Sequence, residues 1–403
     1  MNMTNPSLWR NRDFLIVWLG QSVSMFGTRV SYIAWIWWIL EKTDSPAAVA
    51  GMGIAAAVPT LFLGPFAGAC VDRWDRRRVM LATDVLNAII LGAAAFLMFT
   101  GNLELWHAYS FAVASAIITA FHRPALQSSI PNLVKKEQLT RANSLYQISR
   151  GVSGMIGLLL GGLLVGFLGP APTFVLDGAT FALAGFSLCF VAFSSPRSGE
   201  GSDWRIVLRD TAHGFRFLAS RHELLGLVLL IAMINFLLAP AHVLFPLMSQ
   251  NVFGTGPEGF GSLYAALSAG MLAGGFLTAI LKRFRRQGLT ILFCVLLIGL
   301  LMIGFGISPN IYWALVALAV MGLAVAIANV CESVIYQSRV PNELQGRVFA
   351  AAFALGDGLQ PLSLALIGVL LTFVSAPTVL VGSGIALLAA TAAAFLSRNL
   401  RSL

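Results

Sequence analysis

Residues 64–81 read GPFAGACVDRWDRRRVML. An apolar run ends at Val71, and a turn from Asp72 to Arg78 holds two acids and four arginines before a second apolar run begins at Val79. So short and charged a turn between two such runs places the adjoining helix ends on one side of a bilayer. The same features return 210 residues later, with Gly64 matched by Gly274, Arg73 by Arg283 and Arg76 by Arg286. At the same offset QSSIPN (127–132) meets QSRVPN (337–342). A repeat of this period describes two halves in the same orientation, related by an axis along the membrane normal.

Outward from this turn the whole chain has the same character. Of its 403 residues, 58% are hydrophobic and 11% charged; a soluble domain carries roughly 25% charged residues. A soluble enzyme, a secreted domain and a nucleic-acid binder are excluded on that ground. Apolar segments near 14–39, 47–71, 78–99, 105–128, 143–168 and 171–193 are followed by a polar stretch at 194–222. Six more run near 223–250, 257–281, 288–307, 310–337, 347–373 and 377–396. The expectation is an all-α polytopic membrane protein of twelve transmembrane helices. Residues 1–193 form one six-helix half, 194–222 a cytoplasmic linker with a short amphipathic helix on the membrane surface, and 223–403 the second half.

Lys42 is the one basic residue in the outward loops of this topology; Arg29 and Arg123 sit inside spans, and all other Lys and Arg fall on the opposite side. The positive-inside rule then puts both termini in the cytoplasm. No cleavable leader is expected, because the first 13 residues are polar and no small-residue cleavage site follows a short apolar run. Trp35, Trp37 and Trp38 read as an interfacial aromatic belt. Cys70, Cys189, Cys294 and Cys331 have no partner at metal or redox spacing and read as small core residues. Neither a GxxxxGK[ST] phosphate loop nor a Ser/His/Asp arrangement stands out. No cofactor, metal or enzymatic activity is expected.

The inner turn resembles the hallmark loop of the major facilitator superfamily. Gly68, Asp72, Arg73, Arg76 and Arg77 match it within GACVDRWDRRR, while Asp75 stands where that pattern has glycine. Over nearly the whole chain, WLGQSVSMFG, LEKTDSP, AFHRPALQSSIPNLVKKEQLTRANSL, LLGGLL and NELQGRVFAAF are similar to the macrolide-efflux branch, which also resembles enterobactin exporters. The resemblance implies the twelve-helix fold, a bacterial inner-membrane location, drug-like or siderophore-like cargo, and proton exchange. It makes the charged turn an inner gate, in which Asp72 and its arginines meet the start of span eleven at Arg347. Many antiporters of the superfamily carry Gly-Pro-x-x-Gly-Gly in span five. Here Gly157, Gly161 and Gly162 are kept and Leu158 replaces the proline; the glycines still permit a tight helix seam. Gly64 and Gly68 make a further GxxxG pair.

Ionisable groups inside a bilayer are costly and each needs a reason. Asp357, near mid-span between Gly356 and Gly358, is a candidate for reversible protonation, with Glu332 and Asp84 as further proton-coupling candidates. Glu332 stands 210 residues from His122, so a polar vestibule at related positions is expected. Asp177 reads as a local cap or pair. Arg29, the basic residue deep in span one, is a substrate-binding candidate with Gln21, Gln147, Asn235 and Gln360; Asp357 or Glu332 is the expected partner of Arg29. These features describe a secondary exporter of small, partly apolar molecules, working by alternating access as a monomer in a lipid bilayer and exchanging protons. A dedicated siderophore or metabolite exporter is the nearest alternative; a non-transporting scaffold or receptor is the alternative of another class.

Overall fold

The computed structural model describes residues 8–71, 74–191, 213–281 and 286–396. Helix is the regular structure among the described residues, as expected where water cannot satisfy backbone groups. The first six spans are built from α1 (Arg12–Thr43), α2 (Pro46–Val71), α3 (Arg76–Phe99), α4 (Leu105–Leu133), α5 (Leu139–Val152), α6 (Leu158–Leu168) and α7 (Pro170–Leu188). A π turn, Ser153–Gly157, joins α5 to α6. Helix α8 spans 213–220. The remaining spans comprise α9 (His222–Leu238), α10 (Ala241–Leu247), α11 (Gly256–Ile280), α12 (Gln287–Gly306), α13 (Ile311–Arg339), α14 (Asn342–Gly358), α15 (Gln360–Leu370) and α16 (Ala376–Leu396).

Each of the expected spans coincides with a helix or a run of consecutive helices. Ten such segments are long and apolar enough to cross a bilayer. The two that fall short are α1 and α4. Both are long enough, at 32 and 29 residues, but α1 carries Gln21, Ser24, Arg29 and Ser31, and α4 carries Ser115, His122, Arg123 and Ser128. Such residues need protein or water around them rather than hydrocarbon.

Helix ends follow local chemistry. The Asp75 carboxylate accepts the Arg78 N–H at 3.1 Å and caps α3, which explains an aspartate where the family pattern has glycine. Gly169, at φ +79°, turns the chain between α6 and α7, a conformation that glycine adopts without steric penalty.

Contacts divide the chain into two compact units, residues 1–38 with 55–204 and residues 39–54 with 205–403. Segment 39–54 therefore groups with the second half rather than with the half expected from its position. In the first unit α3 packs along α7 and α4, over a core that includes Phe14, Val17, Met80, Ala125, Ile130 and Leu188. Arg76 Nη1 donates to the Ser128 carbonyl and Arg77 Nη2 to the Cys189 carbonyl, both at 2.9 Å. These arginines tie α3 to α4 and α7 near their C-terminal ends, where the helix dipole favours cations.

In the second unit α11 lies against α13, and a Cβ on Gly270 or Gly322 would collide with the carbonyl of Ala319 or Leu267 respectively. That approach accounts for Gly270, and with Leu323 for Gly274, on α11. Segment 39–54 lies on α15: a Cβ at Gly368 would stand 3.1 Å from Ala50 Cβ, and one at Gly53 2.8 Å from Leu364 Cδ1.

The described residues bear on three expectations. No described residue of another helix comes within 4 Å of a Cβ at Gly64 or Gly68, so the GxxxG pair makes no seam among the described residues. Trp35 is buried, its ring centroid 4.4 Å from that of Phe174, so it belongs to the first unit's core and not to an interfacial belt. The linker helix expected from Trp204 to Leu218 lies outside the described residues up to 212. Its described part, α8, packs on α14: Gly214 meets the Arg347 carbonyl so closely that no Cβ would fit, and Leu218 is buried.

Candidate functional site

Of the polar residues on α1 and α4, Gln21, Ser115 and His122 turn toward α3. Gln21 on α1 donates from Nε2 to Asp84 Oδ2 on α3 at 3.0 Å. Its carbonyl Oε1 stands 2.9 Å from Nε2 of His122 on α4. The other ring nitrogen, Nδ1, is 2.7 Å from Thr83 Oγ1 and 3.5 Å from Asp84 Oδ1. Asp84 is fully buried, and its Oδ1 has no hydrogen-bond partner. One carboxyl, one imidazole, one amide and one hydroxyl therefore meet in the interior of three packed helices. Two further contacts seat the cluster. Gly185 on α7 leaves room beside Asp84, since a Cβ there would come within 3.3 Å of the Asp84 Cβ. Thr83 is held by α3 itself, 2.8 Å from the carbonyls of Val79 and Met80.

A second buried acid lies further along α1. Asp177 on α7 accepts from Ser31 at 2.5 Å and from Thr180 at 3.2 Å, and Gly27 on α1 leaves the space for this contact. It is therefore a link between helices, buried two turns inside α7. Beside it, Gly157 faces Arg29, with a Cβ there only 2.8 Å from the Arg29 Cβ, and a Cβ at Gly161 would lie 2.9 Å from the Val30 Cα. Gly162 is also buried. The Arg29 side chain is exposed in the described protein, as is Gln147. A polar ladder continues between α1 and α5, where Ser149 Oγ receives Trp18 Nε1 at 3.0 Å and meets Ser22 Oγ at 2.9 Å.

The second unit holds the other expected residues. Asp357 lies on the last turn of α14, just before the chain turns at Leu359 into α15; its side chain lies outside the described residues. Asn235 on α9 is half-buried, and a Cβ at Gly356 would be 3.4 Å from its Nδ2, so α9 meets the turn that carries Asp357. Gln360 opens α15, and Ser363 donates to the Phe236 carbonyl at 2.5 Å. Glu332 is half-buried on α13, four residues before the buried Tyr336. Arg347 is half-buried in α14 against α8. Asp72 and Arg73, the head of the expected inner gate, lie outside the described residues. Within the first unit the structure thus brings Gln21 to Asp84. It adds His122 and Thr83, whose part in this cluster the sequence does not disclose. A histidine inside an apolar run was the available signal. Among the described residues no group of His, Cys, Asp and Glu could hold a metal ion.

Comparison with known proteins follows the same lines. A profile of the family described as transmembrane secretion effector matches residues 4–402. Macrolide efflux protein A of Streptococcus pyogenes is 26% identical over 355 residues, 88% of each chain. Multidrug efflux pump Tap of Mycolicibacterium fortuitum is 26% identical over 378 residues, 91% of this chain and 90% of that protein. Among solved structures, the nucleoside transporter NupG superposes with a TM-score of 0.76 at 12% identity, covering 95% of this chain and 99% of that one. A bacterial homolog of the human lysosomal transporter Spinster superposes with a TM-score of 0.70 at 16% identity over 98% of both. At these identities the structures speak for the fold alone.

Proposed function

Because the chain belongs to the transmembrane secretion effector family, within the major facilitator superfamily of secondary-active small-molecule transporters, we propose that it exports macrolide-like, partly apolar compounds in exchange for protons. The observation that carries this reading is the buried Asp84–Gln21–His122 cluster. A carboxyl and an imidazole in the interior of membrane helices are retained at a cost, and proton movement is the usual return for it. The cargo class rests on the efflux relatives and on the chain's apolar character, which favours ligands held by apolar walls and a few polar anchors. Arg29, Gln147, Asn235 and Gln360 supply such anchors, while Asp357 and Glu332 offer further acids. Both termini lie in the cytoplasm of a bacterial inner membrane, by the distribution of Lys and Arg, and the monomer is the working unit.

The test is flux. In proteoliposomes with an acidic lumen, a radiolabelled macrolide should accumulate several-fold over vesicles without the gradient, and a protonophore should abolish the excess. Equal macrolide content with and without the gradient would overturn proton exchange. A panel including iron-free siderophores separates the cargo alternatives.

A further inference from the structure

Hydrogen-bond bookkeeping around His122 goes further than a cluster of polar groups. The Thr83 hydroxyl has one hydrogen, and its oxygen lies 2.8 Å from two backbone carbonyls. In the arrangement that places the hydrogen there, Thr83 Oγ1 presents a lone pair to Nδ1 at 2.7 Å and Nδ1 carries a hydrogen. On the other side of the ring, the Gln21 carbonyl can only accept, so Nε2 carries a hydrogen as well. An imidazole protonated at both nitrogens is a cation, and Asp84 beside it is then the anion.

Turning the Gln21 amide over changes the location of the proton but not the count. The amide N–H now faces Nε2, which must hold a lone pair, and the amide carbonyl faces Asp84 Oδ2, which must be protonated. With the Thr83 hydrogen on the backbone carbonyls, both orientations of the amide leave the acid and the ring together holding one proton more than a carboxylate beside a neutral imidazole. Removal of that proton is also accommodated. Nδ1 then presents a lone pair, and Thr83 meets it by turning its hydrogen away from the carbonyls, which stay paired within α3.

We propose that Asp84, His122 and Gln21 form one proton-binding site in the N-terminal half, occupied by a single proton shared between the ring and the carboxyl. In the internal step, the Nδ1–H bond breaks and an O–H bond forms on Asp84 Oδ1, 3.5 Å away and otherwise unpartnered. Imidazolium and carboxylate become neutral imidazole and carboxylic acid, with no change in net charge. Release to water leaves the site with one negative charge. Gln21 is a positioning residue: each end of its amide holds one partner, and Thr83 adapts to the load. No other ionisable side chain enters the cluster among the described residues that face it. Gly185 faces Asp84 from α7, Gln21 comes from α1, and Arg123, next to His122 on α4, is exposed. The use of this site in transport rests on the proton-exchange reading above; its existence does not.

Infrared difference spectra of the purified full-length protein between acid and neutral pH read protonated carboxyls directly. Asp84→Asn and His122→Gln should each remove the same titration step, and the double variant should remove no more, as coupled groups require. Gln21→Met should shift the midpoint of that step while the melting temperature stays near that of the wild type, a change that a purely structural role would not produce. Nitrogen NMR of the histidine rings in the wild type supplies a second readout that needs no change at Asp84. With five histidines in the chain, His122→Gln assigns the signal, and the His122 ring signal should change at the midpoint seen in the infrared, the ring and carboxyl changes together amounting to one proton. Two separate steps, lost one each in the single variants, would overturn the shared site, as would a carboxyl step that survives Asp84→Asn. Macrolide flux under a pH gradient is scored separately. Wild-type flux without gradient dependence sinks proton exchange and leaves the binding site standing; gradient-driven flux with no shared titration step does the reverse.

Discussion

Asp75 shows how a single side chain changes the reading of a familiar loop. Its carboxylate takes the Arg78 N–H at the first turn of α3, where an N-cap is worth about 1 kcal/mol and glycine gives up only a few tenths. Asp75→Ala should therefore lower the detergent-solubilised melting temperature measurably, and Asp75→Gly much less; equal losses would refute the capping role. Arg76 and Arg77 have a related duty, since both donate to carbonyls at the ends of neighbouring helices. At this scale the sequence is legible in position and poorly legible in partnership. A glutamine, an aspartate and a histidine inside apolar runs announce themselves by their cost. That Gln21, Asp84 and His122 meet depends on how three helices are rotated about their axes, which hydropathy does not encode. Asp177 shows the same limit: its place near the start of span six suggests a local cap or pair, and only the packing of α1 on α7 discloses Ser31 as its partner across helices.

Among the helices, glycine separates two cases that look alike in sequence. Gly161 sits against the α1 backbone, while Gly64 has nothing within reach of a Cβ. Gly161→Val should force α6 from α1 and destabilise the protein by about 1–3 kcal/mol, whereas Gly64→Ala should leave the melting temperature unchanged or raise it slightly. Thermal unfolding of both variants in one detergent decides the matter; equal sensitivity would mean that the α1–α6 seam adds nothing. Span boundaries are legible because the bilayer imposes a length and an apolarity on each crossing. The seams are not, because GxxxG spacing shows that a close approach is allowed and not where one happens. Helix α8 is a further instance. Its amphipathic pattern suits a membrane surface or a protein face equally, and Gly214 adds a protein contact by lying on the Arg347 carbonyl. Gly214→Leu should unseat α8 and speed amide hydrogen exchange over 213–220, since local packing sets local protection; unchanged exchange would refute the docking.

For the whole molecule, the division at the linker is legible from the repeat, since QSSIPN and QSRVPN mark equivalent points of the two halves. The assignment of 39–54 is not, because hydropathy and repeat alike count it with the first six spans. Its grouping with 205–403 means that the second unit is made from two stretches separated along the chain. Residues 47–53 lie on α15 through small side chains and glycine, where Gly368 and Leu364 receive them. A gene split between codons 204 and 205 would thus yield two polypeptides, neither of which encodes a complete second unit. The N-terminal one, residues 1–204, carries the missing piece as a built-in handle for its counterpart. Co-expressed, the fragments should co-purify through a tag on either one and regain small-molecule transport. Bulky residues at Ala50 and Gly53 should prevent that reunion while sparing the uncut protein more, because a continuous chain keeps the handle at high local concentration.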